Sequence, residues 1–185
     1  MIIKTILTGL LTIDVLISVQ EIQAIAQPEP QVLLAGSPKA SSDWVRFTSR
    51  KRGFSTLVPR NAKIIDQLAT DGSWKIDGND SDAHYAVGYY EIDTRKLSLA
   101  DDRTQQYFLD QMLNSMGKEI QEVSRTKLTI RGYPGREARF RSQGKSGWIR
   151  IFFVRNRMYV MTAENNKVTA NERNVTDFLQ SFGLF

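Results

Sequence analysis

Residues 128–163, LTIRGYPGREARFRSQGKSGWIRIFFVRNRMYVMTA, decide how this chain reads. Gly132, Pro134 and Gly135 break a first pair of strands, Gly144 and Gly147 a second, and Asn156 marks a third tight turn. The segments between are rich in Phe, Ile, Val, Tyr and Trp, which suit a pleated surface. Residues 148–154 and 158–163 carry apolar side chains at both parities, so these two strands belong in the middle of a sheet, covered on both faces. Ala138 and Phe140 alternate instead with Glu137, Arg139 and Arg141, which gives that strand one wet face. Arg150 is a charge inside an apolar strand and is expected either to be held in an ion pair, the favoured reading, or to reach an opening.

Two amphipathic helices flank this stretch. The first spans residues 100–118, capped by Asp101 or Asp102, with Phe108, Leu109, Met112, Leu113 and Met116 on one face and Gly117 as its stop. The second spans residues 169–181, where Val175, Phe178, Leu179 and Phe182 share a face and Gly183 ends the helix. Upstream, residues 44–48 and 53–59 read as two short strands around a basic turn, Ser49-Arg50-Lys51-Arg52. Residues 64–76 and 83–92 read as two longer arms joined by the loop DGNDSD, and residues 119–131 as a polar edge strand. The fold class is therefore α+β, with a central antiparallel sheet sandwiched by helices in an α/β/α arrangement.

Residues 1–26 have the layout of a secretory leader: Lys4, an apolar run, then Ala24-Ile25-Ala26 as a small-x-small site, with Asp14 as an irregularity in the run. Residues 27–43 hold three prolines and read as a flexible linker. The domain proper spans residues 44–185, the size of one domain with its own core. Val32-Leu33-Leu34-Ala35-Gly36-Ser37 has the shape of a lipoprotein box, but Ser37 stands where the lipid-bearing thiol belongs. The expected location is outside the cytoplasm, in a periplasm or thylakoid lumen, with peripheral membrane association in reach.

Composition removes several chemistries. With no cysteine there is no disulfide, thiolate metal site or thiol nucleophile, and with His84 as the single histidine no mechanism can use two imidazoles. Phosphate loops, GxSxG elbows and HExxH motifs are absent, so the chain reads as non-enzymatic. An enzyme of unknown class, or a small-molecule or calcium-binding domain, is the alternative, with Asp77, Asp80, His84 and Glu137 as its acid–base candidates. Asp77, Asp80, Asp82 and His84 are the metal-ligand candidates, since dense carboxylates suit a hard cation such as calcium. Their spacing lacks the glycine of an EF-hand, and loops of this composition mostly serve as turns.

The net charge of +5 becomes +6 once the leader is removed, because Lys4 is outnumbered there by Asp14 and Glu21. That balance favours an acidic partner. Arg50, Lys51 and Arg52, with Arg141, Lys145, Arg155 and Arg157 at other turns, are expected to form a basic rim that docks on an acidic protein surface. A nucleic-acid partner is not expected, because neither a groove-entering helix nor basic residues interleaved with exposed aromatics are evident. A monomer is expected.

Read together, GFSTLVP (53–59), YAVGYYEI (85–92), GYPGREARF (132–140), RIFFVRNRMYVMTA (150–163) and FLQSFGLF (178–185) resemble the PsbP-like family. These are thylakoid-lumen and periplasmic proteins related to the extrinsic PsbP subunit of photosystem II. The resemblance covers residues 44–185. It implies a central antiparallel sheet between helices and a non-catalytic protein that docks on a membrane complex or assists its assembly, with photosystem II subunits as partners. The chain departs from the family in its spacer, residues 27–43, and in having no cysteine for the lipid anchor of cyanobacterial members.

Overall fold

In the computed structural model the described residues are 31–32, 43–67, 73–95, 97–117, 119–166 and 172–185. The leader and most of the linker lie outside them. The elements in chain order are β1 (Gln31–Val32), β2 (Trp44–Ser49), β3 (Phe54–Pro59), β4 (Lys63–Gln67), β5 (Ser73–Asn79), β6 (Ala83–Glu91), α1 (Asp102–Ser115), β7 (Gln121–Ile130), β8 (Tyr133–Ser142), β9 (Lys145–Val154), β10 (Arg157–Asn165), α2 (Glu172–Gln180) and β11 (Gly183–Leu184).

Eight strands form one sheet in the order β1-β7-β8-β9-β10-β6-β5-β4. Every pairing in it is antiparallel except that of β1, which runs parallel to β7. As the apolar runs require, β9 and β10 lie in the middle, and β9 is buried from Gly147 to Val154. Two-residue loops connect β7 through β10, and Arg131, Gln143 and Arg155 each take a positive φ there (48°, 46° and 56°). Pro134, Gly135 and Gly147 are not turn residues: they lie inside β8 and β9. The ring of Phe152 lies over Gly135 and that of Phe140 over Gly147, so a Cβ at either position would collide with an aromatic ring.

The two faces are covered differently. On one, α1 lays Phe108, Leu109, Met112 and Leu113 onto Ala138, Phe140, Ile149, Ile151 and Phe153. On the other, a second sheet of order β11-β3-β2 packs together with α2. Phe54, Phe152, Tyr159 and Phe182 meet there, Phe152 and Phe182 stacking at 5.5 Å. The α/β/α sandwich is thus corrected to helix, large sheet, then small sheet with helix. The difference arises at the two ends of the domain. β2 and β3 leave the main sheet to pair with each other, and Gly183 does not simply end α2 but begins β11, which pairs with Ser55 and Phe54. Two further boundaries change. The arm read over 64–76 is two strands, β4 and β5, and the polar strand β7 is not quite an edge, because Gln31 and Val32 pair with Leu128 and Thr129.

Each helix is tied to the sheet by a buried arginine. Arg136, 2% exposed, reaches the start of α1, where it contacts the Asp102 carboxylate and donates to Gln105 Oε1 at 3.2 Å. Asp101 caps the same helix by accepting from the Thr104 amide at 2.9 Å. Arg150 is paired, as expected. It donates to the Glu137 carboxylate, its registered neighbour on β8, and to the Leu179 carbonyl at 2.7 Å, so its charge also meets the negative end of α2.

Candidate docking surface

The basic turn at residues 50–52 is fixed by three contacts. The Gly53 amide donates to Ser49 O at 2.8 Å, the Phe185 amide donates to Gly53 O at 3.2 Å, and the buried Tyr159 hydroxyl donates to Arg52 O at 2.6 Å. These turn Arg50 and Lys51 outward and Arg52 inward. Arg52 is only 8% exposed, its guanidinium lying 4.4 Å from the centre of the Trp74 ring and 5.7 Å from that of Tyr89. Arg52 therefore leaves the predicted rim: a planar cation stacked between the two sheets is core. Arg157 is half-buried beside Tyr89. Burial pushes the Tyr89 phenol up to about 12, and its hydrogen bond to Glu91 adds to the shift.

Strand register divides the rest of the rim. Arg155 follows β9 and Lys145 begins it, so they sit about 30 Å apart at roughly 3.3 Å per residue. Arg50, Lys51, Arg155 and Arg157 gather at one end of the sheet, joined by Arg131 in the β7–β8 turn, which the sequence reading missed. Arg141 and Lys145 lie at the opposite end. The two ends also differ in how charge is answered. At the far end Lys145 meets Glu164 at 2.9 Å, and nearby Arg139 meets Glu172 at 2.8 Å; in mid-sheet Lys75 meets Asp77 at 2.9 Å. At the near end Arg50, Lys51, Arg131 and Arg155 are exposed and have no ion-pair or hydrogen-bond partner among the described residues. Arg141 likewise has none.

A shallow cleft of about 750 Å³ opens at the same near end. The segment following β6, with Arg95, Leu97 and Leu99, forms one wall, and Tyr133, Pro134 and Arg155 form the other, with Phe153 beneath. Arg95 is held by Asp93 in a two-pronged contact.

The acidic loop is built as a turn. Asp80 Oδ1 accepts from the Asp82 and Ala83 amides, each at 2.8 Å, and Oδ2 from the Tyr85 hydroxyl at 3.0 Å and Asn174 at 3.1 Å. Asp77 is engaged separately, with His84 Nε2 at 2.7 Å and Lys75 on its other oxygen. Burial pushes the Asp77 carboxyl up, but the hydrogen bonds from Lys75 and His84 outweigh it and hold the group below its ordinary value. Among the described residues no group of three or more acidic, histidine or cysteine side chains is placed to hold a metal ion. Glu137, an acid–base candidate, faces Arg150 and is not part of the cleft.

The solution structure of cyanobacterial PsbP, CyanoP, from Synechocystis sp. superposes on this chain with a TM-score of 0.54, covering 83% of this chain and 99% of its own, at 16% sequence identity. The fold is PsbP-like. The Ran-binding protein Mog1p of Saccharomyces cerevisiae also aligns with this chain (TM-score 0.47, 8% identity, 78% of this chain and 96% of that one). A Bacteroides thetaiotaomicron protein also aligns, with TM-score 0.43 and 10% identity over 76% of this chain and 48% of that one. No protein-family profile and no curated protein sequence matches. Within this PsbP-like scaffold, the turns carrying Arg131 and Arg155 close strands that the core fixes rigidly. No helix among the described residues is long and apolar enough to cross a membrane.

Proposed function

We propose that this protein is an exported, non-catalytic docking module that engages an acidic surface of a protein partner through the end of the sheet bearing Arg50, Lys51, Arg131 and Arg155. One observation carries the reading: among the described residues those four cations lack partners, whereas Lys75, Arg125, Arg139 and Lys145 are each held by a carboxylate at 2.6–2.9 Å.

The PsbP-like fold supports a finer form of this reading, in which the acidic surface belongs to a photosystem II subunit and the role is accessory or assembly. The test is capture from the membranes of the native host with the mature domain as bait. Binding is expected to fall as salt rises, because exposed charges are screened over about 10 Å at ordinary ionic strength. It is also expected to fall on the double change Arg50→Glu with Lys51→Glu. Capture indifferent to both would overturn the docking reading, and partners free of photosystem II subunits would remove its finer form.

A further inference from the structure

The cleft at the cationic end has a mixed chemistry that bare electrostatic docking does not need. Its walls are largely apolar, with Thr94 and Ser98 as polar members: Leu97 is 39% exposed, Tyr133 and Pro134 are half-buried, and Phe153 closes the floor. Its mouth is basic, with Arg155 on one side, Arg95 on the other and Arg131 in the adjoining turn. A small anion would find cations at the rim but an apolar floor below. A flat protein surface would meet the two hairpin tips and never reach Phe153. The occupant that satisfies both parts is a single large apolar side chain projecting from an acidic stretch of chain.

We infer that this cleft is an anchor site for an acidic peptide segment that carries one aromatic or large aliphatic residue. The inference rests on the docking reading and deepens it. The side chain enters between Leu97, Tyr133 and Pro134, while flanking Asp or Glu side chains meet Arg155, Arg131 and the free side of Arg95. Interfaces commonly divide labour in this way: a buried apolar anchor supplies retention, and surrounding charges supply approach and register. Arg155 is central because its left-handed backbone fixes it at the junction of the cleft and the open cationic end.

The test uses short fluorescent peptides rich in Asp and Glu with Trp, Leu or Ala at the centre, titrated against the whole protein by anisotropy. Burial of the anchor is expected to make the Trp and Leu peptides bind about tenfold tighter than the Ala peptide. Leu97→Gln, which removes the apolar wall without adding charge at an exposed position, should bring the Trp and Leu peptides down toward the Ala peptide's affinity. Arg155→Glu should weaken all three. Chemical-shift mapping provides a check independent of variant folding, with the largest changes expected at Leu97, Gly132 and Arg155. Equal affinity for the Trp and Ala peptides, no binding of the Trp peptide, or shifts centred elsewhere would overturn the cleft. In each case, salt-sensitive capture of a membrane partner would leave the docking surface standing. Anionic phosphatidylglycerol vesicles form the last arm. Vesicle binding that is lost in Leu97→Gln while the peptides show no preference would assign the cleft to a lipid surface and overturn the inference.

Discussion

Removing the Arg150 side chain tests how the second face of the sheet is held. Its side chain is 7% exposed and that of Glu137 17%, so both charges are largely out of water. The guanidinium also donates to the Leu179 carbonyl at 2.7 Å, near the end of α2. In Arg150→Ala the carboxylate stays behind without its cation and the carbonyl without its donor. Breaking one side of such a pair costs about 3–5 kcal/mol, a large share of a stability of roughly 5–15 kcal/mol. At about 2–4 °C per kcal/mol for a domain of this size, the melting temperature should fall by roughly 10 °C or more. The double change Arg150→Met with Glu137→Leu should recover most of the loss, because two desolvated charges disappear together. A residue of about 1 kcal/mol should remain from the unsatisfied Leu179 carbonyl. Urea unfolding of the wild type, both singles and the double, analysed as a mutant cycle, reads all of this. If Arg150→Ala stays within about 1 kcal/mol of wild type, the pair does not anchor α2 and the reasoning fails.

Three further outcomes are expected. Ser181→Ala should cost about 1–3 kcal/mol in urea unfolding, since Ser181 Oγ accepts the buried Leu57 amide at 2.7 Å and the loss leaves that donor orphaned; an unchanged midpoint would contradict this. Gly147→Ala should cost about 1–3 kcal/mol through collision with the Phe140 ring, and the pairing Gly147→Ala with Phe140→Leu should fare better than Gly147→Ala alone. Asp77 and Asp102 both titrate below their ordinary value: burial raises each, but hydrogen bonds and charge from Lys75 and His84, and from Lys127 and Arg136, win. A depressed carboxyl contributes stability that is complete above its unfolded value of about 4 and drains away as pH falls through the folded value. Asp77→Asn should therefore flatten the acid limb of the stability–pH curve, and an unaltered limb would show that the contact with His84 contributes nothing.

The meander was legible because its code is simple. Residues 148–154 are apolar at both parities, and only a strand covered on two faces uses such a run; β9 is that strand. Asp101 capped its helix as its chemistry requires, and Arg150, the one charge in the run, found Glu137 across the ladder. What failed to show was everything decided between distant segments. Gly135 and Gly147 look like turn residues until the rings of Phe152 and Phe140 are seen lying over them. Gly183 and Leu184 carry no pattern, yet they complete a sheet whose other strands lie more than a hundred positions earlier. The rim of seven basic residues was a list of turns. Which turns share an end depends on register, and whether Arg52 faces water depends on Trp74, twenty-two positions away. Asp80 supplied a loop chemistry that reads mostly as a turn, and the structure shows it accepting from the Asp82 and Ala83 amides and the Tyr85 hydroxyl.

The uneven pairing of charge has a consequence for how the molecule moves before it touches anything. Among the described residues four cations stand open at one pole, while near the other Glu164 and Glu172 already hold Lys145 and Arg139 and leave Arg141 as the open cation there, so that pole exerts the weaker opposing pull. In the field of a negatively charged body such a particle feels a torque as well as an attraction, and it rotates during approach. It should arrive with the Arg155 pole leading, so that a larger share of random collisions begins in a productive orientation.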